Sequence, residues 1–422
     1  MTPPSTRPSA ALSALLAVAA LLTACQSGSD AGSDTHSGAD AAEKSPSAQP
    51  HGYVEGAEEA AEQQSRLVMA DAGSGSVRIL DLTTGDTTPA GKTPDAQGIT
   101  TDGRFAFIGT GSEASVVDSG TWTVPHGDHV HYYRAKIRDV GTVPGKAPLA
   151  VHSDKAVTAV SAADGTARLY DRTKLEDGSV GKARKIPGKA EAGAVMPYEE
   201  HLLVPVPVPG DGGKAVVEVR DRDGGRVERL RTPCPEIRGA AVTRRGVVYA
   251  CADGALLVTE AKGGFDSEKI AYDAQVDAEE RAHTFQHRPG STTLAARAGD
   301  DGTWLLDVTE RTWKRVDTGP ALAVNTAGEG APLLALDDKG VLRAYDTGTG
   351  KVTARVELMS PPGGKDAGAG VPGASIEIDT SRAYLNDAAG KKVYEIDYND
   401  DLRLARTFPL DFAPTHMVET GR

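Results

Sequence analysis

"RLVMADAGSGSVRILD" (Arg66–Asp81) is an apolar run, a Gly/Asp/Ser turn, and a second apolar run closed by Asp. Short runs of this kind on either side of a turn read as a β-hairpin. The phrase then returns along the chain. Its first members include "RFAFIGTG", "GVVYACADG" and "RAYLNDAAG", and its second members "EASVVD", "TARLYD", "VLRAYD" and "KKVYEID". The first strands start at Arg66, Arg104, Ala156, His201, Gly246, Thr292, Ala331 and Arg382, separated by 38, 52, 45, 45, 46, 39 and 51 residues. A period near 45, with room for about four strands per unit, is the pattern of a β-propeller. Turn residues that tolerate positive φ recur where hairpins need them, as in "ADGT", "DDGT" and "TGTG". No stretch after residue 65 keeps a helical period.

The expected fold is therefore all-β: a propeller of eight four-stranded blades over residues 65–422. The C-terminal "APTHMVETGR" reads as an innermost strand without a following partner, and the unit starting at Arg66 lacks such a strand. Pairing the two closes the ring and removes its exposed edges. A seven-bladed ring is the alternative.

The N-terminus differs in kind. "ALSALLAVAALL" is an apolar run too short to span a bilayer as a stable helix, and it ends in "LTAC" (Leu22–Cys25). That arrangement resembles the lipobox of bacterial lipoproteins. It implies a signal peptide over residues 1–24, lipidation of Cys25, and a mature protein anchored to the outer face of the cell membrane. Residues 25–64 hold few apolar side chains and much Ser, Gly, Ala and acid, so they read as a disordered tether. In the oxidising compartment this implies, the two remaining cysteines, Cys234 and Cys251, are expected to form one disulfide. A hairpin turning at "TRRG" would bring their segments side by side.

With 46 Lys+Arg against 59 Asp+Glu, the formal charge of −13 argues against a nucleic-acid surface, which needs a basic stripe. No GxSxG elbow, P-loop or HExxH motif appears. The chemistry concentrates in "PHGDHVHYYR" (Pro125–Arg134), which carries three of the ten histidines. In an extended chain residues two apart share a face, so His129 and His131 converge. His126 precedes a Gly-Asp turn that folds it back over them. Asp128 is either a ligand or the group that orients an imidazole. Zn²⁺ favours three or four such donors. Tyr132 and Tyr133 read as packing residues of the outer strand of the second unit. In a propeller, turns of neighbouring units fall on the same face, which adds His152, His201 and His287 as candidate ligands at this rim. His283 and His416 lie further along innermost strands, and His416 is counted among the candidate ligands.

Secretion, the repeats and "HGDHVHYY" together resemble the AztD-type zinc metallochaperones. "PLAVHSD", "CPEIRG" and the C-terminal "PTHMVE" extend the resemblance over roughly residues 65–422. Where His often stands in that family, this chain has Tyr198 and Arg238. The resemblance implies a non-enzymatic function: Zn²⁺ is carried outside the cytoplasm and passed to the solute-binding protein of a zinc ABC transporter. From the residues alone two other classes stay open. One is a quinone- or metal-dependent propeller enzyme, a dehydrogenase or hydrolase; the other is a surface scaffold that binds protein.

Overall fold

In the computed structural model the described residues are 52–126, 129–187, 193–210, 213–359 and 373–422. They are almost entirely β, with nine antiparallel sheets. One five-residue helix, α1 (Arg172–Glu176), and one 3₁₀ turn complete the regular structure among them. Among these residues no helix is long and apolar enough to cross a membrane.

The first ten strands set the pattern: β1 (Glu58–Ala60), β2 (Arg66–Ala70), β3 (Ser76–Asp81), β4 (Thr87–Lys92), β5 (Gly98–Thr101), β6 (Phe105–Gly109), β7 (Glu113–Asp118), β8 (Thr121–His126), β9 (His129–Arg134) and β10 (Arg138–Pro144). One sheet runs β2-β3-β4 and is completed on its inner edge by the C-terminal strand His416–Thr420, which pairs with β2 from Arg66↔Thr420 to Ala70↔His416. The next runs β5-β6-β7-β10. Six further sheets follow in sequence order. The sixth unit's sheet has three strands, and Gln286 fills its inner position through a single bridge to Ala295. The inner strands touch one another. The C-terminal strand lies against β5 and against Ile376–Ile378, and β5 lies against Leu149–Ser153.

The alternation of side chains explains the stacking. All five residues of β2 are buried, because successive side chains point into different neighbours. Leu67 and Met69 pack with Tyr384 and Val393 on one side, whereas Val68 and Ala70 pack with Ala106, Ile108 and Val117 on the other. The strand Gly246–Cys251 behaves alike: Val247, Tyr249 and Cys251 join one core, Val248 and Ala250 the next. Each central strand is therefore apolar on both faces, while the outermost strands, such as β4 and Arg226–Arg229, are mostly exposed and polar. Charge on an edge discourages pairing with another chain.

An ion pair recurs where a first strand opens and its partner closes, buried in the first two cases and half-buried in the third. Arg66 meets Asp81 at 3.2 Å, Arg104 meets Asp118 at 2.9 Å, and Arg382 meets Asp397 at 3.1 Å. The strand-ending Asp also organises the turn, as Asp81 does by accepting from the backbone N–H of Thr83 and Thr84. Cys234 and Cys251 are disulfide-bonded with Cα atoms 5.0 Å apart, beside the hairpin that turns at Thr243–Gly246.

Two expectations need correction. "HYYR" does not enter the outer strand of the second unit. That strand is β10, and β8–β9 is an inserted hairpin with its own sheet, ordered β1-β9-β8. The chain leaves β7 for this hairpin at Gly120 (φ +72°), where a Cβ would lie 2.4 Å from the Ala135 carbonyl oxygen, so only glycine fits. The tether, expected through residue 64, also ends earlier. Glu58–Ala60 pairs with β9 in the register Glu58↔Arg134, Glu59↔Tyr133, Ala60↔Tyr132. Backbone pairing and the polar contacts described below hold this hydrophilic segment without an apolar face. The signal peptide, Cys25 and the first part of the tether lie outside the described residues.

Candidate metal centre

The β8–β9 hairpin stands on a column of flat groups. The Arg104 guanidinium, 1% exposed, lies 3.7 Å from the Trp122 ring centre. Trp122 stacks on Tyr133 at 5.3 Å and Tyr133 on His131 at 6.2 Å. Beneath them Asp118, fully buried, accepts from Arg104 Nε and Nη2, from Arg138 Nη2 and from the Gly120 N–H. Burial alone would push its carboxyl up, but these charged donors hold it below the usual carboxylate range. Tyr133 is buried, as expected, although in the hairpin rather than in a blade.

The two-residue period of β9 brings His129 and His131 to one face. Their Nε2 atoms are 3.2 Å apart and their rings meet edge to face at 4.8 Å. Two imidazoles on one tetrahedral Zn²⁺, with Zn–N about 2.0–2.1 Å, would have nitrogens about 3.3 Å apart. The pair is therefore spaced as a metal would need it.

Glu59, on β1, was not singled out by sequence reasoning. Its Oε1 lies 2.6 Å from His131 Nδ1. A carboxylate only accepts, so Nδ1 carries the proton and donates it to Glu59, which leaves the Nε2 lone pair directed at His129. Glu59 sits opposite Tyr133 and therefore on the face of His131, but its signal is three residues in a polar stretch 72 positions away.

The backbone of His126 is paired with that of His129, with residues 127 and 128 between them. The His126 side chain and Asp128 lie outside the described residues. Among the described residues no set of three or more His, Cys, Asp or Glu converges as a metal ion requires.

Among the described side chains the structure brings together His129, His131 and Glu59, while His152, His201, His287 and His416 have other surroundings. His201 donates from Nδ1 to the Glu199 carbonyl at 2.7 Å and packs edge-on to Phe265, in a cleft of about 400 Å³ that Glu199, Glu200, Glu228 and Glu260 also line. His152, on Leu149–Ser153, is held down to about 4 by burial and then by the nearby His287. His287 is likewise held to about 4 by burial, and its Nδ1 is 2.8 Å from the Arg288 carbonyl. Burial also lowers His416, on the C-terminal strand. The carbonyl of His283 accepts from the Gly239 N–H, tying two neighbouring units.

No family model matches the chain. The zinc chaperone AztD of Citrobacter koseri is 24% identical over 355 residues, which span 79% of this chain and 81% of that protein. The chain is similar to AztD. The likeness holds in three dimensions: the crystal structure of Citrobacter koseri AztD superposes with a TM-score of 0.70 at 19% identity, covering 85% of this chain and 98% of the other. The structure of apo AztD from the same organism gives the same values. A dihydro-heme d1 dehydrogenase, NirN, in complex with DHE fits more loosely, with a TM-score of 0.50 at 14% identity over 84% of this chain and 75% of that one. The AztD likeness is thus the stronger in both sequence coverage and fold.

Proposed function

We propose that this chain is an extracytoplasmic zinc metallochaperone, which binds Zn²⁺ on the β8–β9 hairpin and passes it to the solute-binding protein of a zinc ABC transporter. The observation that carries the reading is the convergence of His129 and His131 Nε2 at the spacing of two zinc ligands, in a chain similar to a zinc chaperone over most of its length. His126 and Asp128 are assigned to the rest of the donor set, because the hairpin register puts His126 opposite His129. His152, His201, His287 and His416 are left outside it.

The fold is read as a closed ring of eight blades, the first completed by the C-terminal strand, with the three-stranded β1-β9-β8 sheet as an added rim. The pairing of β2 with His416–Thr420 supports this. Cys25 is read as the lipidated residue that holds the protein at the outer face of the cell membrane, and residues from Cys25 up to the segment that carries β1 as its tether.

Transfer on this reading is ligand exchange and needs no catalytic group. Neutral imidazoles on an exposed hairpin release a cation stepwise as an incoming set of ligands replaces them. Coordination requires unprotonated imidazole, so zinc affinity falls in acid. The test is stopped-flow mixing of the zinc-loaded chain with the apo solute-binding protein. Transfer faster than spontaneous zinc dissociation into a chelator supports the reading. Transfer at the dissociation rate rejects chaperone action.

A further inference from the structure

We propose that Glu59 is the positioning residue for His131, and that zinc retention on the hairpin depends on the docking of β1, the N-terminal strand that carries it. This rests on the metallochaperone reading above and assigns that site a release control.

The argument begins with the fragility of β1. It has three residues, Glu58 and Glu59 are exposed, and it contributes nothing to the apolar cores. Two further polar contacts hold the segment. Trp122 Nε1–H donates to the Gly52 carbonyl at 3.0 Å, and Glu59 accepts from His131 at 2.6 Å. Gly52 (φ +76°) lies so close to β8 that a Cβ there would be 2.4 Å from Val124 Cγ2, and Val124 is the strand partner of His131. The segment thus touches the hairpin beside the histidine it orients.

While β1 is docked, the carboxylate fixes the His131 tautomer and ring plane and raises the donor strength of Nε2. Partners of this kind are worth about 10–100-fold in metal affinity. When β1 leaves, His131 loses the Glu59 carboxylate and the edge of β9 is uncovered. Pulling on, or competing for, a three-residue strand therefore weakens the zinc site without touching a ligand.

The experiment uses the full chain, with Zn²⁺ alone as the probe and its dissociation followed by chelator competition. Glu59→Ala is expected to release zinc about 10–100-fold faster than the parent, and Glu59→Gln, which keeps an acceptor, to recover part of the loss. Gly52→Ala leaves Glu59 and His131 intact but displaces the segment, and is expected to accelerate release in the same direction. The ¹⁵N shifts of His131 should show a single Nδ1–H tautomer in the parent and a mixture in Glu59→Ala, a readout that a merely structural role would not move. The Glu59 side chain is 46% exposed, so its variants keep the parent's melting temperature. Release within twofold of the parent in Glu59→Ala, with an unchanged tautomer, overturns the proposal. Fast release in Glu59→Ala with parental release in Gly52→Ala overturns the dependence on docking. A parent chain that binds no zinc, or whose zinc survives His129→Ala/His131→Ala, overturns the underlying reading as well; a zinc site indifferent to Glu59 overturns this inference alone.

Discussion

Asp118→Asn separates what the buried charges contribute from what the surface charges contribute. Asp118 is fully buried and Arg104 is 1% exposed, so neither charge has water to fall back on. The carboxylate accepts from two guanidinium groups and one backbone N–H, at distances of 2.7 to 3.1 Å. Asparagine keeps the volume but removes the charge, leaving the guanidinium under Trp122 with the more distant Glu176 carboxylate, 3.9 Å away, as its ion-pair partner. Breaking one partner of such a pair costs about 3–5 kcal/mol. The surface control is Asp177→Asn, whose partner Lys174 stands 3.3 Å away with both side chains more than half exposed. That substitution should cost no more than about 0.5 kcal/mol. Urea unfolding followed by tryptophan emission measures both, and Trp122 itself reports the buried pair. Asp118→Asn within 1 kcal/mol of the parent (about a fivefold change in the folding constant) would refute the reasoning, because it would mean that the column under the hairpin does not depend on the charge.

Acid should weaken the fold before the carboxylates titrate. His152 and His287 sit at about 4 in the native state, against about 6.5 in an unfolded chain. The unfolded state therefore takes up protons first, and stability present above pH 6.5 is lost as pH falls toward 4. Replacing His287 with Gln should flatten this part of the urea-midpoint profile, and an unchanged profile would count against the burial argument. The Cys234–Cys251 bridge closes a separation of 17 residues, so Cys234→Ser/Cys251→Ser is expected to cost about 3 kcal/mol from chain entropy. The check is the same midpoint, with reductant shifting the parent but not the variant.

Much of the fold was legible because each blade's central strands are buried on both faces and so read as short apolar runs. Starts expected at Arg66, His201 and Gly246 coincide with strand starts, those expected at Arg104, Ala156, Thr292 and Arg382 fall one residue early, and that at Ala331 falls two residues early. The inserted hairpin was misplaced for a physical reason. "HYYR" alternates like any outer strand, and nothing local distinguishes a rim sheet from a blade. His129 and His131 were legible through the period of two. Glu59 was not, because three polar residues in an acidic stretch carry no pattern, and only the fold reveals that they lie on β9. The Arg–Asp pairs left a faint trace, an Arg opening some first strands and an Asp closing their partners, but pairing across a hairpin needs register to be read. His152, His201 and His287 were grouped by the shared face of their turns; in the structure His152 and His287 are buried near each other, whereas His201 packs on Phe265 in an acidic cleft.

The most direct measurement is calorimetric titration of Zn²⁺ into the untagged full chain and into its His129→Ala/His131→Ala variant, at neutral pH. One strong site per chain, absent from the variant, is the predicted result. Equal zinc affinity and stoichiometry in the two proteins would contradict the placement of the metal on this hairpin.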